Sequence, residues 1–410
     1  MTEPLDVARV RRRFPGLSRL HEREPVIFAD APGGTQVPDT VIEAMARHLR
    51  ESNANTGGAF ETSRATDGLI AEARGASADL LGCDPDEVAF GPNMTSLAFA
   101  LSRALGRTFR PGDEVVVTGL DHDANVAPWL VAARDSGAAV RWADVRTEDC
   151  TLDLESLKAA LGSRTRVVAF TLASNAVGTI TPAKEIVRLA HEAGAVAVAD
   201  AVHFAPHRAV DVRAIEADVL FCSPYKFFGP HLGIMFGKRD QLESWQPDKV
   251  RPAPDSVPER WESGTLNHEG LAGLIAAVDY LAGLGRGSTR REAVLAGMTS
   301  VQAHEAGLSE RFLRGLPERV RLFGVSDPAR VDERAPTFAF RVHDRSPREV
   351  AEELGDRGIF VWDGNYYAQA IMERLGLEES GGAARVGFCH YHTTEEVDRV
   401  LHELGEIARG

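Results

Sequence analysis

The chain reads as an α/β protein, with a mostly parallel sheet covered by helices and then a smaller α+β domain. Three observations predict this. Short apolar runs alternate with helical patterns from about residue 38 to residue 222. The runs are apolar on both faces, as strands buried between two helix layers must be. After about residue 265 the texture changes to long helical patterns followed by a mixed segment.

Taken in order, the periodicity predicts helices over 38–51 and 65–81, a strand over 87–90 and a helix over 95–105. A strand over 114–118, a helix over 124–135 and a strand over 139–142 follow. Then come a helix at 154–161, strands at 166–171, 195–200 and 219–222, and a helix at 183–192. Beyond them, 266–284 and 289–314 read as long helices, and 337–341 and 385–388 as strands. Ser346-Pro347-Arg348-Glu349 and Thr393-Thr394-Glu395-Glu396 have the form of capping boxes that open two further helices. Gly285-Arg286-Gly287-Ser288 is the predicted boundary. It divides a large domain, 25–285, from a small one, 286–410, joined by the N-terminal segment 1–24.

Composition narrows the function. Asp plus Glu number 60 against 46 Lys plus Arg, a net charge of −14, which disfavours nucleic-acid partners. The charged N-terminus lacks the apolar stretch of a secretory signal, and no run is long enough to span a membrane. Cys83, Cys150, Cys222 and Cys389 lie far apart, without zinc-ligand spacing, so the expectation is a cytoplasmic protein with reduced thiols and no metal.

Three segments carry chemistry. Residues 195–200 end a small-residue strand on Asp200, a buried carboxylate that wants a cationic partner. Lys226 lies in Ser223-Pro224-Tyr225-Lys226, and with Gly229, Pro230 and Gly233 beyond, the loop is stiff enough to hold one amine in place. Alone, such a lysine also reads as a surface residue on a turn. Gly91 to Ser96 follows a strand and opens a helix, a combination that cradles anions, although Ser and Thr cap helices of every kind.

Together these segments resemble the class V aminotransferase family of fold-type I pyridoxal 5′-phosphate (PLP) enzymes, nearest its cysteine desulfurase and selenocysteine lyase branch. Further motifs extend the resemblance: Asp121-His122-Asp123-Ala124-Asn125, Ser174-Asn175-Ala176-Val177-Gly178-Thr179, Asp200-Ala201-Val202-His203 and Glu262-Ser263-Gly264-Thr265. The resemblance implies a fold-type I transferase with a mostly parallel seven-stranded sheet. It implies PLP bound covalently to Lys226, with Asp200 on the pyridine nitrogen and His203 at the ring oxygen. Met94, Thr95 and Ser223 would hold the phosphate, and Thr265 the phosphate of a neighbouring subunit in a homodimer. Asn175 and Arg385 would hold the carboxylate of a small amino-acid substrate.

The pattern also departs from the family. Tyr367 falls where desulfurases carry their nucleophilic cysteine, and Trp362 where they carry an arginine; Tyr366 lies between them. Asp123 falls on the ring-stacking histidine, with His122 beside it. A phenol cannot accept sulfur as a persulfide. The expected activity is therefore β-elimination of the carbon–sulfur lyase type, which Lys226 can support without a cysteine. Class V transamination or epimerisation uses the same groups, and a non-catalytic PLP-fold binding protein is the reading from a different class.

Overall fold

The computed structural model describes residues 4–409. Seven strands form the large sheet: β1 (Val88–Gly91), β2 (Glu114–Thr118), β3 (Ala139–Ala143), β4 (Thr165–Thr171), β5 (Val196–Asp200), β6 (Val219–Cys222) and β7 (Gly233–Gly237). Their spatial order is β1-β7-β6-β5-β4-β2-β3. Pairs among β2 to β6 are parallel, and β7 runs antiparallel to both neighbours. The link from β6 to β7 is the Lys226 loop. It contains no crossover helix, so β7 has to return antiparallel.

The apolar runs predicted as strands are buried on both faces. Val115, Val117, Val167 and Val198 enter one layer with Leu97, Leu101 and Trp129. Their neighbours Val116, Val168 and Ala199 enter the other, with Leu271, Leu274 and Val278. That alternation is the period of two that a pleated strand imposes.

The smaller sheet has four antiparallel strands: β8 (Val320–Phe323), β9 (Thr337–Val342), β10 (Trp362–Gly364) and β11 (Ala383–Gly387), in the order β8-β9-β11-β10. Both capping boxes form. Ser346 and Glu349 bond reciprocally, and Glu396 N–H donates to Thr393 Oγ1 at 3.2 Å while Thr393 N–H donates to the Glu396 carboxylate at 3.0 Å. Helix Arg290–Gly315 belongs to both cores, with Val294, Met298 and Val301 in the large one and Leu308 and Phe312 in the small one.

Several ends differ from the sequence expectation. Helix Glu61–Leu81 begins four residues early, because its polar first turn gives no apolar period. The stretch expected as a helix over 124–135 is a turn, Asp123–Asn125, followed by a helix over Ala127–Ser136 whose first turn takes Pro128. Strand β11 lies up to two residues before the expected 385–388.

One glycine ties the two sheets together. Gly178 has φ +79°, and a Cβ there would meet the carbonyl oxygens of Thr337 at 2.5 Å and Ala335 at 2.9 Å. Gly178→Ala is expected to lower stability by about 2 kcal/mol or more, read as a fall in the thermal unfolding midpoint. An unchanged midpoint would contradict this packing.

Candidate active site

A cavity of about 900 Å³ opens at the carboxyl ends of the parallel strands, where α/β sheets hold their ligands. Thr171 ends β4, Asp200 ends β5, Ser223 follows β6, and the loop after β1 supplies Asn93, Met94 and Thr95. The small domain contributes Trp362, Tyr366, Tyr367 and Arg385. A second cavity, of about 1100 Å³, lies near the N-terminal helix and has no lysine in its lining.

Lys226 sits on the 3-10 turn Pro224–Lys226 that follows β6. Its Nζ donates to Pro32 O and lies 4.8 Å from the centroid of the Tyr225 ring, which itself stacks on His231. Burial lowers the amine to a pKa of about 7; the Arg385 cation adds to the shift, and Asp200 and Asp30 oppose it. At neutral pH much of the amine is thus unprotonated and nucleophilic. This predicts that carbonyl capture by the cofactor-free protein speeds up as pH rises through about 7 and then levels off. Stopped-flow absorbance with added PLP measures it, and a midpoint near the ordinary lysine value would refute the argument.

Asp200 is buried at the tip of β5, where burial raises its pKa to about 6 and the Val202 N–H and Lys226 pull it back. Desolvation at that strength suits a carboxylate that will meet a cationic ring nitrogen. His203 Nε2 lies 2.9 Å from Thr337 Oγ1, and burial pushes the imidazole well below its usual value, so it is neutral. The cradle forms where Asn93 Oδ1 accepts the Ser96 N–H at 2.8 Å and opens helix Met94–Gly106. Gly233 allows this approach, since a Cβ there would lie 2.3 Å from the Asn93 carbonyl carbon.

The wall that the small domain contributes is a strained loop. Tyr366 and Tyr367 both adopt left-handed φ, +57° and +55°, which bulky residues avoid. Contacts with three segments hold them there. Tyr366 O accepts from Asn175 Nδ2 at 2.9 Å, its hydroxyl donates to Ala383 O, and its ring lies 4.1 Å from the Arg385 guanidinium. Arg385 Nη1 donates to Asn175 O at 2.7 Å, which fixes the arginine. Tyr367 O accepts the Asp123 N–H at 2.6 Å.

At the turn 122–125 both His122 and Asp123 line the cavity, and the ring contact there belongs to His122. The His122 ring lies against Tyr367 with centroids 5.7 Å apart and planes 26° from parallel. Its Nδ1 accepts the Ala124 N–H at 3.0 Å, so as the cap of the turn it points inward, and the residue after it stands at the rim. Burial, helped by the Lys226 and Arg385 cations, lowers its pKa to about 4.

Of the residues singled out from sequence, Lys226, Asp200, His203, Met94, Thr95, Ser223, Asn175, Arg385, His122, Asp123, Trp362, Tyr366 and Tyr367 share this cavity. Thr265 is exposed and lies outside it. Sequence reasoning missed Asp30, Pro32 and Tyr225. The run Ala31-Pro32-Gly33-Gly34 was the available signal for a loop that approaches another backbone.

Three buried polar atoms of the lining have no hydrogen-bond partner among the described residues: Asn175 Oδ1, His203 Nδ1 and Arg385 Nε. With the basic lysine, the buried Asp200 and the anion cradle, they suit a polar, phosphorylated ring compound. The four thiols stand elsewhere. Cys150, Cys222 and Cys389 are buried, Cys83 is partly so, and burial raises all of them, Cys150 to about 11.

Fold and site together define a lysine-centred fold-type I enzyme. The chain belongs to the aminotransferase class-V family, which it matches over residues 27–400, and PLP is its cofactor. It is 34% identical to an uncharacterized protein of Mycobacterium tuberculosis, over 98% of this chain and 99% of that one. It is 30% identical to a cysteine desulfurase of Pectobacterium atrosepticum, over 100% of this chain and 99% of that one. The apo structure of a cysteine desulfurase from Thermococcus onnurineus NA1 superposes with a TM-score of 0.88, at 26% identity and full coverage of both chains.

Proposed function

We propose that this enzyme catalyses β-elimination from an amino acid or amino-acid conjugate carrying a sulfur leaving group, without a persulfide-forming cysteine. One observation carries the reading: an amine with a pKa of about 7 faces a cavity whose lining contains no thiol. PLP supplies an electron sink for charge developing at the substrate α-carbon. Asp200 would keep the ring nitrogen protonated, and Met94, Thr95 and Ser223 would hold the phosphate. Arg385 and Asn175 orient the α-carboxylate, and Lys226 takes the α-proton and returns one to product. The Cβ–S bond breaks with its electron pair on sulfur. Overall, conjugate and water give thiol, pyruvate and ammonium.

The neutral His122 and the Tyr366–Tyr367 loop are part of that lining, which among the described residues offers no thiolate to accept sulfur. In the same reading the protein is a cytoplasmic homodimer, and the exposed Thr265 completes the neighbouring subunit's phosphate site. Offering the holoenzyme cysteine and cysteine S-conjugates tests the reaction. Release of pyruvate with sulfide or thiol supports elimination. Formation of pyridoxamine phosphate from the amino-acid donor, reversed by an added keto acid and without thiol or pyruvate release, would replace it with transamination.

A further inference from the structure

The charges of the cavity can be assigned one by one. Within the reading above, Lys226, Asp200 and Arg385 face the cofactor and the two reacting ends of the amino acid. Asp363, also in the lining, is paired with Arg348 at 3.1 Å. His122 is neutral. That leaves Asp123, whose carboxylate has neither ion pair nor hydrogen bond among the described residues. It is half-buried, and desolvation alone raises its pKa.

The backbone that carries this carboxylate is held. Its residue is pinned by the N–H bond to Tyr367 O at 2.6 Å and by its own carbonyl, which accepts the Val126 N–H at 3.0 Å. Beside it Tyr367 is 74% exposed and Trp362 49% exposed, two large aromatic surfaces at the rim of the same cavity. Trp362 packs over Gly33, where even a Cβ would lie 2.1 Å from the indole Nε1. An unpaired carboxylate on a held backbone, with exposed aromatic faces in the same cavity lining, is an arrangement that binds cations, through charge and the ring quadrupole together.

We infer that Asp123, with Tyr367 and Trp362, selects substrates whose leaving-group end carries a cationic group, such as an ammonium or imidazolium. The inference rests on the proposed lyase reading for the substrate's other end. It gives Asp123 a role in specificity and none in holding PLP.

The test uses three matched probes: S-(2-aminoethyl)cysteine, S-propylcysteine and S-(carboxymethyl)cysteine. For the holoenzyme, kcat/KM should favour the aminoethyl compound about tenfold over the propyl compound, the scale of one partly screened ion pair, and by more over the carboxymethyl compound. Asp123→Asn should abolish the preference mainly through KM, and Asp123→Arg should pass it to the carboxymethyl probe. Quenching of protein fluorescence in cofactor-free protein ranks the same probes without turnover. If no probe is turned over but fluorescence still ranks cation above neutral above anion, the reaction assignment fails and this inference stands. Equal kcat/KM for all three probes, unchanged in Asp123→Asn, would overturn the inference and leave the reaction intact. A kcat loss in Asp123→Asn that is equal for every probe would also overturn it, since a proton donor would then explain the carboxylate.

Discussion

Lys226→Ala is expected to lose the visible absorption of lysine-bound cofactor and to turn over substrate about 10³-fold more slowly or worse. In the proposed reading the variant loses both the covalent attachment and the general base, which sets the size. The variant should nonetheless fold. Lys226 is an amine that the protein holds at a cost: its folded pKa, about 7, lies below the unfolded value near 10.5. The unfolded chain therefore binds more protons between those values, and apo-protein stability rises with pH across that window. Below pH 7 both states are charged and the full penalty, on the order of a few kcal/mol, is present. Alanine removes it. The cofactor-free variant should accordingly melt no lower than the parent at pH 6, and its relative advantage should shrink toward pH 10. A midpoint well below the parent at pH 6 would mean that the amine is structurally paired, and that loss of activity reports unfolding.

Asp200, Lys226 and the cradle after β1 were legible because each is a local event. A strand of small residues ends on a carboxylate, prolines and glycines stiffen one loop, and a strand turns into a helix. The parallel sheet was legible for the same reason, since burial on both faces writes itself into every strand. The contacts that shape the substrate side are not local. Asn175 meets Tyr366 across 191 residues, Arg385 meets Asn175 across 210, and Lys226 meets Pro32 across 194. No period encodes such pairs. The left-handed backbone at Tyr366 and Tyr367 was illegible too, because two tyrosines give no sign of it, whereas Gly364 beside them, at φ +110°, does. The division of roles between His122 and Asp123 is the smallest case. They are adjacent residues that both line the cavity, and no sequence pattern shows that the His122 ring accepts the Ala124 N–H.

Glu262 illustrates the same limit in a residue that sequence tied to a motif and structure ties to a foundation. Its carboxylate takes both Nη atoms of Arg74 at 2.9 Å and the Phe90 N–H at 2.9 Å, and both side chains are under one-tenth exposed. Arg74 Nη1 also donates to Val88 O at 2.6 Å. The pair thus clamps both ends of β1, whose last residue leads into the cradle at Asn93–Thr95. Replacing one partner leaves the other charged and buried, which costs about 3–5 kcal/mol. Glu262→Gln and Arg74→Met should each lower the unfolding midpoint sharply, and Glu262→Gln should also weaken PLP retention on dialysis, because β1 positions the phosphate loop. The double replacement Arg74→Met with Glu262→Leu should recover much of the lost stability, since two apolar groups need no compensation. Additive losses in that cycle would show that the two residues act independently. A Glu262→Gln protein of parental stability would show that burial has already protonated the carboxyl, as its raised pKa would allow. The bidentate geometry at 2.9 Å argues for the ionised pair and for the large effect.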